Sequence, residues 1–181
     1  MSTLKVNSII PVAGVPTGGG GGIIQIKQTV KKDTFSQSSL NDSTFSNDTG
    51  LNVTITPTST SSKIRITGSV VISMDQDDDG YGIGLFKDGS VITDALGDAD
   101  GNRTRCMNMT FAQNFGGEAR TLPIDFIDSP STTSAITYGV RIIFFSGTAS
   151  STVYLNRSQS DDNNVFRPRS ISTITAMEVS A

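Results

Sequence analysis

The sequence has 181 residues and a net charge of −3, which together predict one domain with its own core and argue against a basic face that binds nucleic acid. It contains no histidine, so a Ser-His-Asp triad, a Cys-His dyad and other His-based acid–base catalysis are excluded. Its single cysteine, Cys106, cannot form a disulfide within the chain or a structural zinc site, and we expect neither an enzyme nor a cofactor.

The first 22 residues differ in character from the rest of the sequence. Residues 18–22 are five consecutive glycines, and residues 1–17 carry one charge, Lys5. Because a solvated tail is usually polar and charged, an apolar peptide here indicates docking to another protein through Leu4, Val6, Ile9, Ile10, Val12 and Val15. As a flexible linker, the glycines span roughly 12 Å, so the domain that follows is free to change its angle.

Three other interpretations of this segment are disfavoured. Lys5 and Asn7 interrupt the apolar pattern, and Pro11 and Pro16 break a helix, which argues against a secretory signal peptide. No segment approaches the about 20 apolar residues of a membrane span, so we expect no membrane insertion. The glycines are not followed by the lysine that a phosphate-binding loop requires.

From residue 23 to residue 181 we expect a single β domain. Apolar and polar residues alternate with a period of two, which is typical of strands with one buried face. The apolar faces are, in chain order, Leu51, Val53 and Ile55; Ile64, Ile66, Gly68, Val70, Ile72 and Met74; Met107, Met109 and Phe111; Leu122, Ile124 and Phe126; Tyr138, Val140, Ile142 and Phe144; Val153 and Leu155; and residues 171–179. About eight to ten strands at this spacing predict an antiparallel β-sandwich, and we expect a jelly roll of two four-stranded sheets.

One predicted strand is apolar on both faces. Behind the face that Tyr138 begins, Ile143 and Phe145 are also apolar. Two explanations stay open at this point: a central strand whose second face is covered by a loop, or a strand at a subunit interface around a threefold axis.

Two acidic stretches are candidate contact loops. Residues 75–80 match the first half of a calcium loop, but its twelfth position is Phe86 instead of the bidentate glutamate, so an EF-hand is excluded and only a looser calcium site stays open. No spacing selects a carboxylate pair for glycoside hydrolysis. We assign no catalytic or metal residues, and we expect outward-facing loops to place these residues in contact with a host surface: Asp75, Asp77, Asp78, Asp79, Asp98, Asp100 and Asn102.

Both ends of the sequence and several internal stretches resemble small virion proteins of tailed phages of marine bacteria, including cyanophages. The similar stretches are residues 1–9, 126–130, 138–140, 147–158 and 172–179. The resemblance implies a trimeric, tumour-necrosis-factor-like jelly roll that is mounted on the particle through its N-terminal peptide, and it brings no catalytic residues.

The expected function is therefore that of a virion structural protein, a short tail fibre or appendage on the particle exterior. Its expected partners are two further copies of itself, another virion protein that binds residues 1–17, and a glycan or protein of the host surface. A capsid decoration protein (a head fibre) is the alternative within this class, and a lectin-like carbohydrate-binding module is the alternative outside it.

Overall fold

The computed structural model describes residues 22–75, 79–111, 119–145 and 150–180. They form one short 3₁₀ turn, Thr93–Ala95, and eleven β-strands. The strands are β1 (Ile23–Lys31), β2 (Phe35–Asn41), β3 (Asn52–Ile55), β4 (Lys63–Met74), β5 (Gly80–Lys87), β6 (Ser90–Val91), β7 (Asn108–Phe111), β8 (Arg120–Asp128), β9 (Ile136–Phe145), β10 (Ser150–Leu155) and β11 (Ser172–Val179). Across these ranges, no helix has the length and apolarity needed to cross a membrane.

The strands make two antiparallel sheets. In sheet 1, β4 pairs with β8 along one edge. Along its other edge β4 pairs with β11 in its first half and with β10 at its end. β11 pairs in turn with β1, and β10 pairs with β2. In sheet 2, β9 lies between β3 and β5, and the free edge of β5 pairs with β6 and β7. The inward faces of the two sheets pack against each other as a sandwich.

The connectivity is that of a jelly roll. Setting aside the extra strands β2, β6 and β10, eight strands remain, and they pair first with eighth (β1–β11), second with seventh (β3–β9), third with sixth (β4–β8) and fourth with fifth (β5–β7). This nested pairing of two Greek keys defines the jelly roll. The predicted fold class is confirmed, and the described sheets have six and five strands instead of four each because the extra strands extend their edges.

The alternation in the sequence determines which face of each strand is buried. Along β4, Ile64, Ile66 and Ile72 are fully buried, whereas Lys63 and Arg65 between and beside them are exposed. Burial of such side chains is the main stabilising contribution to a fold of this kind, at about 25 cal/mol per Å² of apolar surface. The largest buried side chains from both sheets meet in one core: Tyr81, Tyr138, Phe144, Leu51, Ile55, Ile64, Ile66, Ile72, Ile83, Leu85 and Ile142.

The second apolar face of β9 is covered by the chain itself at Ile143. The segment 43–46 runs beside β9, with the Ser43 amide donating to the Phe144 carbonyl at 2.9 Å and the Ser46 amide donating to the Ile142 carbonyl at 2.7 Å. Ile143, which bridges Phe45 of this segment, is 2% exposed. Phe145, on the same face, is half-buried and contacts the exposed Phe111. The chain therefore covers this face at Ile143, and the subunit-interface explanation of the strand stays a prediction.

The strand directions define two ends of the sandwich. At one end, here called the base, the Ser180 amide donates to the Gly22 carbonyl at 3.0 Å and the Gly22 amide donates to the Ser180 hydroxyl at 3.1 Å. At the far end β4 stops at Met74 and β5 begins at Gly80. Because β4 has 12 residues and runs from the base to the far end, and a strand rises about 3.3 Å per residue, the two ends are roughly 40 Å apart.

Candidate interaction surfaces

The outer face of sheet 1 carries exposed aliphatic side chains near the base. Ile26 and Val30 of β1 pair with Met177 and Thr173 of β11. Opposite residues of an antiparallel ladder point to the same face. Since Ile174 and Ala176, which alternate with Met177 and Thr173 along β11, are buried, Ile26 and Val30 point outward. The patch, here called the bare face, consists of four side chains that are 43–58% exposed: Ile23, Ile26, Val30 and Ile127.

The charges at the centre of the bare face neutralise each other. The Arg65 guanidinium binds the Asp125 carboxylate in a bidentate manner, with Nε–Oδ1 and Nη2–Oδ2 distances of 3.1 Å each. Thr67 and Thr175 lie in the row between Asp125 and β1. Lys63 is exposed on the same face, opposite Val179. An exposed apolar patch with polar residues around it is typical of a surface that binds another protein.

The other half of this outer face, toward the far end, is covered by the 156–171 loop. The Ser73 hydroxyl donates to the Arg157 carbonyl at 2.7 Å, and the Arg157 guanidinium lies 4.6 Å from the centre of the Tyr154 ring. Gln159 Nε2 donates to the Asp75 carbonyl at 3.3 Å. The loop therefore leaves only the base half of the sheet open.

Asn156 holds the position at which this loop leaves the sheet. It is fully buried and has a φ of 61°, a left-handed conformation that asparagine tolerates better than most residues. Its Nδ2 donates to the carbonyls of Lys31 (2.9 Å) and Asp33 (3.0 Å), and its Oδ1 accepts from the Ser172 hydroxyl (2.6 Å). Asn156 thus joins β1, β10 and β11, a role that sequence reasoning missed although the residue lies within one of the resembling stretches.

A buried carboxylate ties the β3–β4 connection to sheet 1. Glu178 is fully buried and accepts hydrogen bonds from Gln25 Nε2 (2.6 Å) and from the amide and hydroxyl of Thr58 (2.6 and 2.7 Å). Burial disfavours its ionised form, but the hydrogen bonds from Gln25, Thr58 and Ser62 outweigh burial and lower the pKa of Glu178. Sequence reasoning assigned Glu178 no role.

At the base, a polar cluster lies between the sheets. Asp128 accepts from Lys87 Nζ at 2.9 Å and from the Tyr138 hydroxyl at 2.7 Å. Burial, together with the hydrogen bond to Asp128 and its negative charge, raises the pKa of Tyr138 well above its ordinary value. The Asp128 carboxylate is thus bound by the Lys87 ammonium group and the Tyr138 hydroxyl. This cluster is best explained as a structural contact that connects β5, β8 and β9.

Of the predicted acidic contact residues near the far end, Asp75 binds its own chain. Its Oδ1 accepts from the Ser151 hydroxyl at 2.6 Å and from the Thr152 amide at 2.8 Å. Burial opposes ionisation, but these hydrogen bonds prevail and lower the pKa of Asp75. Asp79 immediately precedes β5, and Asp77 and Asp78 lie outside the described residues.

The second acidic stretch lies beside the middle of β5. Asp98, Asp100 and Asn102 are exposed, and Asp100 pairs with Arg103. A groove of about 370 Å³ separates this segment from the Phe45 ring, and it is lined by Phe45, Leu96, Asn102, Arg103, Arg105 and Ile143. The structure therefore brings Asn102 close to an aromatic side chain but does not place it with Asp75.

Neither a metal site nor the docking peptide can be located in the described ranges. Within them, no three His, Cys, Asp or Glu side chains are close enough to hold a metal ion. The predicted docking residues lie outside the described residues: Leu4, Val6, Ile9, Ile10, Val12 and Val15. The position of Gly22 nevertheless establishes that the chain enters the domain at the base.

No protein-family model and no curated protein sequence matches the chain. Solved structures similar to it include infectious bursal disease virus Gx strain, at 13% identity and a TM-score of 0.43. They also include the VP2 subviral particle and the T13 particle of that virus, each at 10% identity, with TM-scores of 0.43 and 0.44. The alignments cover 97% of this chain and 44%, 43% and 41% of those chains, so the chain spans less than half of their length. TM-scores this low define no family, and the fold assignment rests on the strand pairing.

Proposed function

We propose that the chain is a virion structural protein, a short tail fibre or similar appendage, which is mounted on the particle exterior through residues 1–17. The observation that carries the proposal is that the domain has two distinct ends, with the chain entering at one of them. The chain enters at the base, where Gly22 is hydrogen-bonded to Ser180, and the described ends of β4 and β5 lie roughly 40 Å away. An anchor at one end leaves the opposite end directed away from the particle.

The proposed homotrimer uses the bare face as its subunit interface. Four exposed aliphatic side chains on one sheet, around an internally neutralised Arg65–Asp125 pair, offer apolar surface that an interface can bury. The trimeric jelly roll implied by the sequence resemblance requires such a surface.

Contact with a host glycan or protein is proposed for the far end of the domain and for the acidic segment beside the middle of β5. Asp79 near the far end, and the exposed Asp98, Asp100 and Asn102, are the described candidates. Asp75 is a weaker candidate than the sequence suggested, since its carboxylate is occupied by Ser151 and Thr152.

A lectin-like module is a second candidate function, favoured by the groove beside Phe45. An aromatic ring that lines one groove together with Asn102 is a combination that stacks against a sugar ring and hydrogen-bonds its hydroxyls. A glycan array with the purified domain tests this function, and binding that is lost in Phe45→Ala supports it. An array without any binding removes the lectin reading and leaves the structural role.

Deleting residues 1–17 from the gene in the intact phage tests the anchor. We expect particles that lack the protein, measured as copies per particle by quantitative mass spectrometry, while the truncated protein retains the circular dichroism spectrum of the full chain. A variant with residues 18–22 replaced by a Gly-Ser segment of equal length is the matched control and should be incorporated normally. Normal copy number of the truncated protein contradicts the proposal.

The position of the protein on the particle distinguishes a tail appendage from a head decoration protein. A density map of the whole particle locates the protein directly. Light scattering of the isolated domain tests the trimer, and a monomer at micromolar concentration contradicts it.

A further inference from the structure

The groove beside Phe45 lies on the outer face of sheet 2 between two walls that the strands hold in place. One wall is the segment 43–46, which is fixed to β9 by two backbone hydrogen bonds. The other is the segment 96–105, whose continuation is hydrogen-bonded to β5. The hydroxyls of Ser43 and Thr104 are 2.5 Å apart and join the two walls. The groove of about 370 Å³ is therefore already formed, and its volume lies in the range of small-ligand sites.

The Phe45 ring is held in one orientation by its neighbours. It packs edge-to-face with Phe86 at a distance of 5.2 Å between ring centres, and the Arg141 guanidinium lies 4.2 Å from the centre of the Phe86 ring. The edge of the Phe45 ring rests on Gly84, where a Cβ would collide with it. A ligand that contacts this ring therefore pays little conformational entropy to order it.

The lining of the groove is positively charged although the chain as a whole has a net charge of −3. Among the described residues that line it are Arg103 and Arg105, and none of them is acidic. Asp98 and Asp100 belong to the same segment but do not line the groove, and Asp100 pairs with Arg103. A cationic lining of this kind favours an anionic ligand.

The Arg105 guanidinium is positioned by the backbone. Its Nε donates to the Gly97 carbonyl at 2.6 Å and its Nη2 donates to the Thr93 carbonyl at 3.4 Å. Because both acceptors are neutral, they orient the guanidinium without cancelling its charge. Arginine has five N–H donors, and these two bonds leave three of them for a further acceptor.

We propose that this groove binds a sugar ring that carries an anionic group, a carboxylate or a sulfate. Phe45 contacts the face of the sugar ring, the exposed amide of Asn102 binds its hydroxyls, and Arg105 binds the anionic group. This inference rests on the lectin-like function and names the class of saccharide. A sugar is the fitting ligand because the lining adds an amide and the hydroxyls of Ser43 and Thr104 to the aromatic ring and the cations.

The test is calorimetric titration of the full-length protein with pairs of saccharides that differ in charge alone. Oligosaccharides of galacturonate and of glucuronate are compared with their methyl esters, and a sulfated galactose oligosaccharide is compared with its desulfated form. We expect an anionic member to bind about tenfold more tightly than its neutral counterpart, as for one charge-assisted hydrogen bond. The uronate and sulfate pairs distinguish the two anions. These comparisons need no variant, so they hold whatever a substitution does to folding.

Two substitutions assign the contacts. Arg105→Gln should weaken binding of the anionic saccharide about tenfold and leave binding of the neutral counterpart unchanged. Asn102→Ala should weaken both. The control is Lys63→Gln, which removes an exposed cation from sheet 1 and should change neither affinity. Circular dichroism spectra of all variants should match that of the wild type.

The possible failures are distinguishable. Equal binding of each anionic saccharide and its neutral counterpart contradicts the anionic class and leaves the lectin-like function in place. Absence of binding to every saccharide of the panel and of the glycan array contradicts both. A glutamate peptide of the same charge that binds as tightly as the uronate contradicts a saccharide ligand. Unchanged binding by a folded Arg105→Gln variant contradicts the role of Arg105.

Discussion

Replacing Asn156 with alanine should destabilise the domain more than any exposed substitution. The side chain makes three hydrogen bonds, to Lys31, Asp33 and Ser172, and each contributes about 1 kcal/mol. Alanine at a φ of 61° costs about 1 kcal/mol more than asparagine, since both crowd the backbone with a Cβ but only the short polar side chain of asparagine compensates by local hydrogen bonding. The expected loss in the free energy of unfolding is therefore about 4 kcal/mol.

Urea denaturation followed by circular dichroism, at one fixed protein concentration, measures this loss. In a domain of this size a change of 1 kcal/mol corresponds to about 2–4 °C in Tm, so thermal unfolding should shift downward by about 8–16 °C. Asn156→Gly is the matched variant, because it removes the same hydrogen bonds but tolerates the positive φ; it should recover about 1 kcal/mol. If the free energy of unfolding of Asn156→Ala lies within about 1 kcal/mol of the wild-type value, the hydrogen bonds of this side chain do not stabilise the contact between β1, β10 and β11 as argued.

Two further substitutions test other parts of the fold. Glu178→Gln should be destabilising at pH 7 and progressively less destabilising in acid. The pKa of Glu178 in the folded state lies below its ordinary value of 4.5. The ionised carboxylate therefore stabilises the fold above pH 4.5, and this contribution is lost as the pH falls through the lowered pKa. Urea midpoints at pH 7 and pH 3 measure this, and an equal difference at both pH values refutes it. Gly84→Ala should cost about 1–3 kcal/mol by forcing the Phe45 ring away. Gly97→Ala, whose Cβ would meet nothing closer than 4.0 Å, is the control, and equal urea midpoints for the two variants contradict this reasoning.

The strands that alternate strongly were predictable, and β5 was not. β4 shows six core-facing positions in a row, and the structure places that face in the core. In β5 three of the four alternate positions, 80, 82 and 84, are glycine, which disfavours strands by itself. The structure explains these glycines by what lies on them: a Cβ at Gly80 would collide with the Phe145 ring, and one at Gly84 with the Phe45 ring.

For the candidate contact residues, too, the sequence predicted one property and the tertiary structure determined another. The acidic composition of residues 75–80 was visible in the sequence, but the occupation of Asp75 by Ser151 and Thr152 depends on β4 and β10 being neighbours, 76 residues apart in the chain. The exposure of Val165 and Phe166 was equally hidden. An apolar pair after an acidic stretch reads the same in a sequence whether it is buried or presented to solvent.

The sequence by itself determined that the chain is all-β, that it has no histidine for catalysis, and that an apolar stretch and five consecutive glycines precede the first strand. All three follow from local properties, namely residue types and a period of two. Only the tertiary structure decided which face of sheet 1 stays open, that the chain enters at the base, and that Asn156 and Glu178 hold distant strands together. These features arise from pairing between residues more than 100 positions apart, such as β1 with β11, and no local pattern specifies such pairing.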